Sequence, residues 1–481
     1  MFSIKKLFSK TNQCYVLKNE YQHVLFDFPA ELYGTNHRLI RFGDTQKELK
    51  FVIPDIQYED IDSIFVSKSD SLGIFFLGND CPTVYLTEPV YEQLILKIDE
   101  FKKYQVYYDE EIIDPGKRVV GISQIGNFKP QLIKFNQIVD FSVFRIKSIT
   151  AGTFIGWCNY LIEFHSELTN PTTILYIGSI SFNQRFSLQP PELNPKYVIL
   201  NNKICNIFKE ETTENGIYAF TSYLEQSIKE KNIILIPVDM VTIFLEIIFH
   251  LFYLLHKNGT IIPIAIVSPV FNRLSTIVNI QSEWLNKTFQ ETVYSGNEPF
   301  SFKSYPNLII WDGFEDLKGP AIIICSTLEY ELMGPQIGFT VFNILDQPRN
   351  FEICNKTGHA FYLEVQADLK NIQEKFKNSE FIGFEDSTSK NYKIKLDNSI
   401  SKIKLCNTEL ISIIKNEEIL TFYFDGKVIN TEENIFFNAE GNYLKTMFKS
   451  RWVWHDGWYE FINLKVKLKF ENEKIIIKNI K

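Results

Sequence analysis

Apolar and polar positions recur with two different periods along this chain, and the change of period divides it. Up to about residue 200 the apolar runs are short and strand-like: Cys14 to Lys18, Gln22 to Phe28, Ser63 to Ser67 and Val84 to Leu86, each bounded by polar turn residues. An amphipathic helix is predicted from Val90 to Tyr104, and strands return between Gly121 and Ser148. Asn159 to Phe164 and Thr173 to Ile177 flank the polar stretch Ser166 to Thr172 and read as a hairpin. The tight loop Ala151-Gly152-Thr153 precedes this hairpin and the turn Gly178-Ser179 follows it, so two loop mouths open at one end. After a proline-rich loop, Pro195 to Leu200 is a further strand ending at Asn201.

From Tyr218 the period becomes that of alternating helices and strands. Helix 218–230, strand Asn232 to Val238, helix Val241 to Lys257, strand Ile261 to Ser268 and a helix around Leu274 to Thr288 predict βαβ units and a mostly parallel sheet covered on both faces. Ala321 to Cys325 and Phe339 to Asn343 continue that sheet. Asp239-Met240-Val241 follows the first of these strands with no glycine-rich phosphate cradle, which argues against a nucleotide site. Ala360 to Val365, helix Ala367 to Lys377 and Phe381 to Phe384 read as a return to the first layer arrangement. The last ninety or so residues are β-rich, with Asp-Gly hairpin signals at Asp425-Gly426 and Asp456-Gly457.

Composition changes this picture little. Apolar residues are 45% and charged residues 22% of 481, ordinary for a globular protein of two to four domains. A formal charge of -8 argues against a chain-wide nucleic-acid surface. The seven cysteines form no Cys-x-x-Cys pair and fit a reducing compartment. The apolar run Met240 to Leu255 carries Glu246 and His250 and is short for a membrane span, so it reads as a buried helix. Of the seven histidines none stands at His-x-His or His-x-x-x-His spacing, the usual signature of a hydrolytic metal centre.

Five local features carry a resemblance. They are Tyr85-x-Thr87-Glu88-Pro89, the histidine-free loop Ser67 to Gly73, Ala151-Gly152-Thr153, the Gly178-Ser179 turn, and Pro237 with Val267-Ser268-Pro269-Val270. In order and spacing they resemble the metallo-β-lactamase/β-CASP proteins of RNA processing. The resemblance implies an αββα sandwich in residues 1–215, an inserted parallel α/β domain in 216–355, the returning sandwich in 356–390, and a small β-rich docking module in 391–481. In that family two metal ions are held by a His-x-His-x-Asp-His loop, an Ala-Gly-His loop, a Gly-Asp turn and a further acid. Here the matching places hold Lys68, Ser69, Asp70, Thr153, Ser179 and Asn201. Hydroxyls and an ammonium are poor zinc ligands, so the resemblance implies a non-catalytic member with no metal and no other cofactor.

Such a member is expected to be nuclear and to pair with an active nuclease: the Integrator endonuclease, subunit 11, together with scaffold subunit 4. RNA would be met only indirectly, and a membrane not at all. Thr327 to Gly334 lacks the basic residue an RNA-gripping loop would need. The alternatives are the corresponding inactive subunit of the cleavage and polyadenylation specificity factor, or a hydrolase rebuilt on Asp27, Asp70, Asp368 and Asp386. Trp452, Trp454, Trp458, Tyr459 and Phe461 crowd one hairpin near the C-terminus, as core residues or as anchors for a partner.

Overall fold

Most of the strand-like segments before residue 201 assemble into two six-stranded sheets, while Glu31–Leu32, Lys50–Pro54 and Lys117–Gly121 make a small three-stranded sheet and Arg38–Ile40 pairs with Gln105–Tyr107. The first runs Ser3–Leu7, Cys14–Lys18, His23–Phe26, Ser63–Phe65, Thr83–Leu86, Gln131–Leu132, antiparallel over its first two pairings and parallel over the rest. The second runs Ile138–Asp140, Phe144–Thr150, Cys158–Phe164, Thr173–Ile177, Tyr197–Leu200, Glu380–Ile382, with three antiparallel pairings followed by two parallel ones. In this computed structural model the described residues are 3–7, 14–18, 22–32, 38–40, 49–56, 61–78, 82–103, 105–107, 117–126, 129–141, 144–164, 173–201, 214–300, 302, 305, 307–310, 320–333, 339–345, 358–362, 367, 369–382, 400–404, 410–416, 419–424, 427–431, 453–455, 458–461, 466–471 and 474–479.

Side chains alternate across a strand, so each sheet sends every second residue inward. Leu17, Val24, Phe26 and Phe65 from the first sheet meet Phe144, Ile146, Cys158, Tyr160, Ile162 and Tyr176 from the second. Phe26 stacks on Tyr176 at 4.9 Å between centroids. Each such large side chain contributes about 2 kcal/mol of burial. Helix Glu88–Phe101 covers the outer face of the first sheet with Val90, Leu94 and Ile98. Helix Leu369–Lys375 covers the second sheet, setting Ile372 among Leu175, Ile177, Val198 and Leu200. These four layers make an α/β sandwich.

The second period produces one seven-stranded sheet, parallel throughout: Glu214–Asn215, Gly358–Tyr362, Phe339–Leu345, Ile233–Val238, Ala321–Ser326, Ile264–Val267, Leu308–Ile310. Its central strands are almost wholly apolar because both faces are buried. Three expectations change here. The helix expected around Leu274 to Thr288 is two, Phe271–Ile280 and Lys287–Tyr294, because Asn286 Oδ1 accepts from Phe289 N at 3.2 Å and starts a new helix. The stretch after Ser326 is not a loop but helix Thr327–Met333, capped by Ser326 Oγ accepting from Glu329 N at 3.1 Å. Strand Gly358–Tyr362, which includes His359, does not reopen the sandwich. It pairs in parallel with Phe339–Leu345, and only Glu380–Ile382 returns to the second sheet.

The apolar helix Phe244–Lys257 is 14 residues long and buries Phe244, Ile247, Ile248 and Leu251. Among the described residues no helix is long and apolar enough to cross a membrane.

Residues 385–481 form a separate unit. Its strands make two antiparallel four-stranded sheets, Ile400–Lys404, Leu410–Asn416, Ile419–Phe424, Lys427–Thr431 and Val453–His455, Trp458–Phe461, Val466–Glu471, Lys474–Asn479. Phe424 pairs with Lys427 and His455 with Trp458, each across an Asp-Gly pair. Trp454 and Tyr459 are cross-strand partners and Phe461 pairs with Val466, while Trp452 lies outside the described residues.

Candidate functional site

Strand His23–Phe26 ends at Asp27, which takes a left-handed backbone at φ 59°. Asp tolerates this conformation better than most residues. Its position is set by Asp27 N donating to Phe65 O at 2.9 Å, which ties it to the neighbouring strand end. The side chain is only 2% exposed and every lone pair of its carboxylate is used. Oδ1 accepts from Ser67 N at 2.7 Å and Ser71 Oγ at 3.1 Å; Oδ2 accepts from Ser67 Oγ at 2.7 Å and Tyr176 OH at 2.6 Å. Asn201 Nδ2 donates onward to Tyr176 OH at 3.3 Å. Burial and the adjacent Asp27 charge push the Tyr176 phenol well above its ordinary range, so it stays protonated and donates.

The two loop mouths of the hairpin close on each other. Ser179 Oγ donates to Thr153 Oγ1 at 3.1 Å, and Ser187 Oγ to the Thr153 carbonyl at 3.3 Å. Asn159 Oδ1 holds the turn by accepting from Gly178 N at 3.0 Å and Ser179 N at 3.4 Å. Thr153, Ser179 and Asn201 are all buried. The Thr87-Glu88-Pro89 motif acquires a physical role here. Thr87 Oγ1 caps its helix by accepting from Val90 N and donates to Gly156 O at 2.7 Å. Gly156, at φ 75°, lies so close to Pro89 that a Cβ would sit 2.4 Å from the proline Cβ. Gln93 completes the dock, donating to Ile155 O at 2.8 Å and accepting from Trp157 Nε1 at 2.9 Å.

The loop after Ser63–Phe65 is buried rather than solvated. Lys68 is 2% exposed, with Nζ 3.6 Å from Asp70 Oδ2. Asp70 also faces Lys97 Nζ at 3.5 Å, and Lys97 reaches Asp239 Oδ2 at 3.0 Å on the inserted domain. Asp70 is therefore an ion-pair bridge between Lys68 and Lys97. Ser69 is fully buried and its Oγ meets no hydrogen-bond partner among the described residues. Asp27, at the end of its strand, is the hub of the network and braces the Ser67 to Gly73 loop against the second sheet. Asp368 and Asp386 lie outside the described residues.

This donor set does not fit a divalent metal. Zinc is held by imidazole, thiolate and carboxylate, and among the described residues no group of three or more His, Cys, Asp or Glu converges as a metal would require. Asp27 has no lone pair to spare, and Asp70 is bound between two ammonium groups. Cys158 lies beside the site with its thiol pushed up to about 12 by burial, which keeps it neutral. Beside Thr153 the sandwich and the inserted domain leave a cavity of about 20 Å³, lined by Gln93, Ile155, Val241, Leu245, Glu246 and Val278 among others. That is room for one water.

Residues 1–215, which build most of the α/β sandwich, match the sequence family described as "Putative beta-lactamase-like family". The chain is similar to the Integrator complex subunit 9 homolog of Dictyostelium discoideum, 28% identical over 176 residues, which are 36% of this chain and 24% of that protein. It thus spans about a quarter of the length of the curated relative it matches. Among solved structures it is similar to a protein of unknown function from Enterococcus faecalis V583, with 10% identity and a TM-score of 0.44 over 78% of this chain and 91% of that one. It is also similar to the Rm3 metallo-beta-lactamase, with 12% identity and a TM-score of 0.22 over 38% of this chain and 61% of that one. The resemblance to the metallo-β-lactamase proteins drawn from the sequence is borne out by the family match.

Sequence reasoning missed Ser67, Ser71, Tyr176 and Asn159 as parts of the site, and Lys97 and Asp239 as its link to the inserted domain. Tyr176 sits at an inward position of a predicted strand, indistinguishable by period from a core aromatic. Lys97 stands just before Asp99 and Glu100 in the helix, and nothing in its local pattern marks Asp239 as its partner.

Proposed function

We propose that this chain is a non-catalytic scaffold subunit descended from a β-CASP nuclease, pairing in the nucleus with the active endonuclease of the Integrator complex, subunit 11. Subunit 4 would clasp the pair, and the assembly would cut the 3' ends of small nuclear RNA and nascent transcripts. In this reading residues 1–215 and the segment around Glu380–Ile382 are the sandwich, the intervening residues the β-CASP insert, and 391–481 the docking module. Trp452, Trp454, Trp458, Tyr459 and Phe461 are its proposed anchors.

One observation carries the reading. The residues standing where ligands are expected spend their polar atoms on one another: Ser179 on Thr153, and Asn201 through Tyr176 on Asp27. Activating water at neutral pH needs a metal with several protein ligands or a positioned base, and Asp27 is saturated by donors. A scaffold needs only the shape. Affinity purification of the tagged full chain from its own cells, with mass spectrometry of what accompanies it, tests the assignment. The Integrator endonuclease subunit is expected at near-stoichiometric yield. Polyadenylation-factor subunits in its place would favour the alternative assembly, and recovery of the chain without any β-CASP nuclease would overturn the reading.

A further inference from the structure

Helix Glu88–Phe101 meets the inserted domain along a seam of ionisable groups. The relay Lys68, Asp70, Lys97, Asp239 crosses from the sandwich to the insert, since Asp239 follows strand Ile233–Val238. Three residues beyond Lys97, Glu100 is 8% exposed, and its Oε1 meets no hydrogen-bond partner among the described residues. Ser326, at the end of strand Ala321–Ser326, donates to this carboxyl, while Asp239 and Glu329 face it with like charge. Glu329 is itself buried, on helix Thr327–Met333, which also lies against strand Arg38–Ile40. The neighbouring Cys325 thiol is raised by burial and carries no charge. Among the described residues the seam sets Lys68, Lys97 and Arg273 beside Asp70, Glu92, Asp99, Glu100, Asp239 and Glu329; Arg273 pairs with Glu92 and Asp99, while the Glu100 carboxyl is incompletely bonded.

We propose that this seam is a proton-operated latch between the sandwich and the inserted domain, closed while Glu100 is protonated and loosened when it ionises. A buried carboxyl with one bonded and one bare oxygen is best accommodated neutral, because the charged form would leave a desolvated anion beside Asp239 and Glu329. Burial, the largest cause, raises Glu100 from 4.5 to about 7; the Ser326 hydrogen bond opposes, Asp239 adds to the rise, Lys97 opposes and Glu329 adds. A carboxyl raised on closure binds its proton more tightly closed than open. Closure is then strongest below the ordinary carboxylate pKa, weakens as pH rises through the interval from 4.5 to about 7, and levels off above it. With those two values, opening grows about tenfold between about pH 6 and about pH 8.

The test is hydrogen exchange of the full chain at both pH values, corrected for intrinsic rates and read on peptides covering Glu88–Phe101 and Ala321–Met333. In the native sequence these peptides are expected to open about tenfold more at the higher pH, while strand Cys158–Phe164 does not change. Glu100→Gln, which keeps the shape and removes the charge, is expected to abolish the pH dependence. Equal protection of the native seam at both values overturns the latch, with no variant needed. So does a tenfold response that survives in Glu100→Gln.

Discussion

Replacing Asp27 with alanine is expected to cost about 4 kcal/mol of folding stability, read as a lowered midpoint in urea at unchanged slope. The carboxylate takes hydrogen bonds from Ser67 N, Ser67 Oγ, Ser71 Oγ and Tyr176 OH, all within 3.1 Å and all buried. Truncation leaves these donors in a dry site, and each unsatisfied buried donor costs about 1–3 kcal/mol before relaxation. Hydroxyls can turn toward other acceptors, which keeps the total below the simple sum. The Ser67 amide cannot turn. Asp27→Asn is expected to lose less, because asparagine tolerates the left-handed backbone and retains one acceptor oxygen. If alanine and asparagine were both neutral, the buried carboxylate would not be what joins the two sheets.

Gly178→Ala is expected to cost about 3 kcal/mol and to be non-additive with Asp27→Ala. A Cβ at Gly178 would fall 1.9 Å from Ser67 Oγ, 2.7 Å from Ser67 Cβ and 3.4 Å from Asp27 Oδ2. Ser67 has no long side chain to swing away, so its loop must retreat and break the pair of bonds it gives Asp27. Once Asp27 is gone those bonds no longer exist to be lost, and the double variant should be more stable than the sum of the two single effects predicts. A double-mutant cycle in urea measures the difference. Strict additivity would mean that the turn and the hub are independent.

The contrast between Asp27 and the hairpin shows what was legible in the sequence. Strands such as Cys158–Phe164 and Thr173–Ile177 are local patterns, written in the alternation of consecutive residues, and the parallel strands of the insert are written in their unbroken apolar runs. The losses at Lys68, Thr153 and Ser179 were legible too, because each falls in a short loop motif. What replaced the lost ligands was not legible. Residues 27, 67, 71 and 176 meet only because a parallel pairing sets His23–Phe26 beside Ser63–Phe65 and the second sheet packs across them. No local period encodes that meeting. The same holds for the Lys97 bridge to Asp239, two residues separated in sequence by everything from 98 to 238.

The placement of strand Gly358–Tyr362 follows the same logic. Read alone it is a strand before a helix, which suits the sandwich as well as the insert. Its partner decides, and Phe339–Leu345 offers a full parallel register over five residues.

Zinc content of the purified chain tests the central claim most directly. The full protein, expressed with zinc in the medium and purified without chelator, is to be measured by inductively coupled plasma mass spectrometry. Hydroxyl groups at Thr153 and Ser179, a saturated Asp27 and the Lys68 ammonium beside Asp70 predict far less than one zinc per chain. A content of about two zinc per chain, the complement of a two-metal hydrolase, would contradict the account.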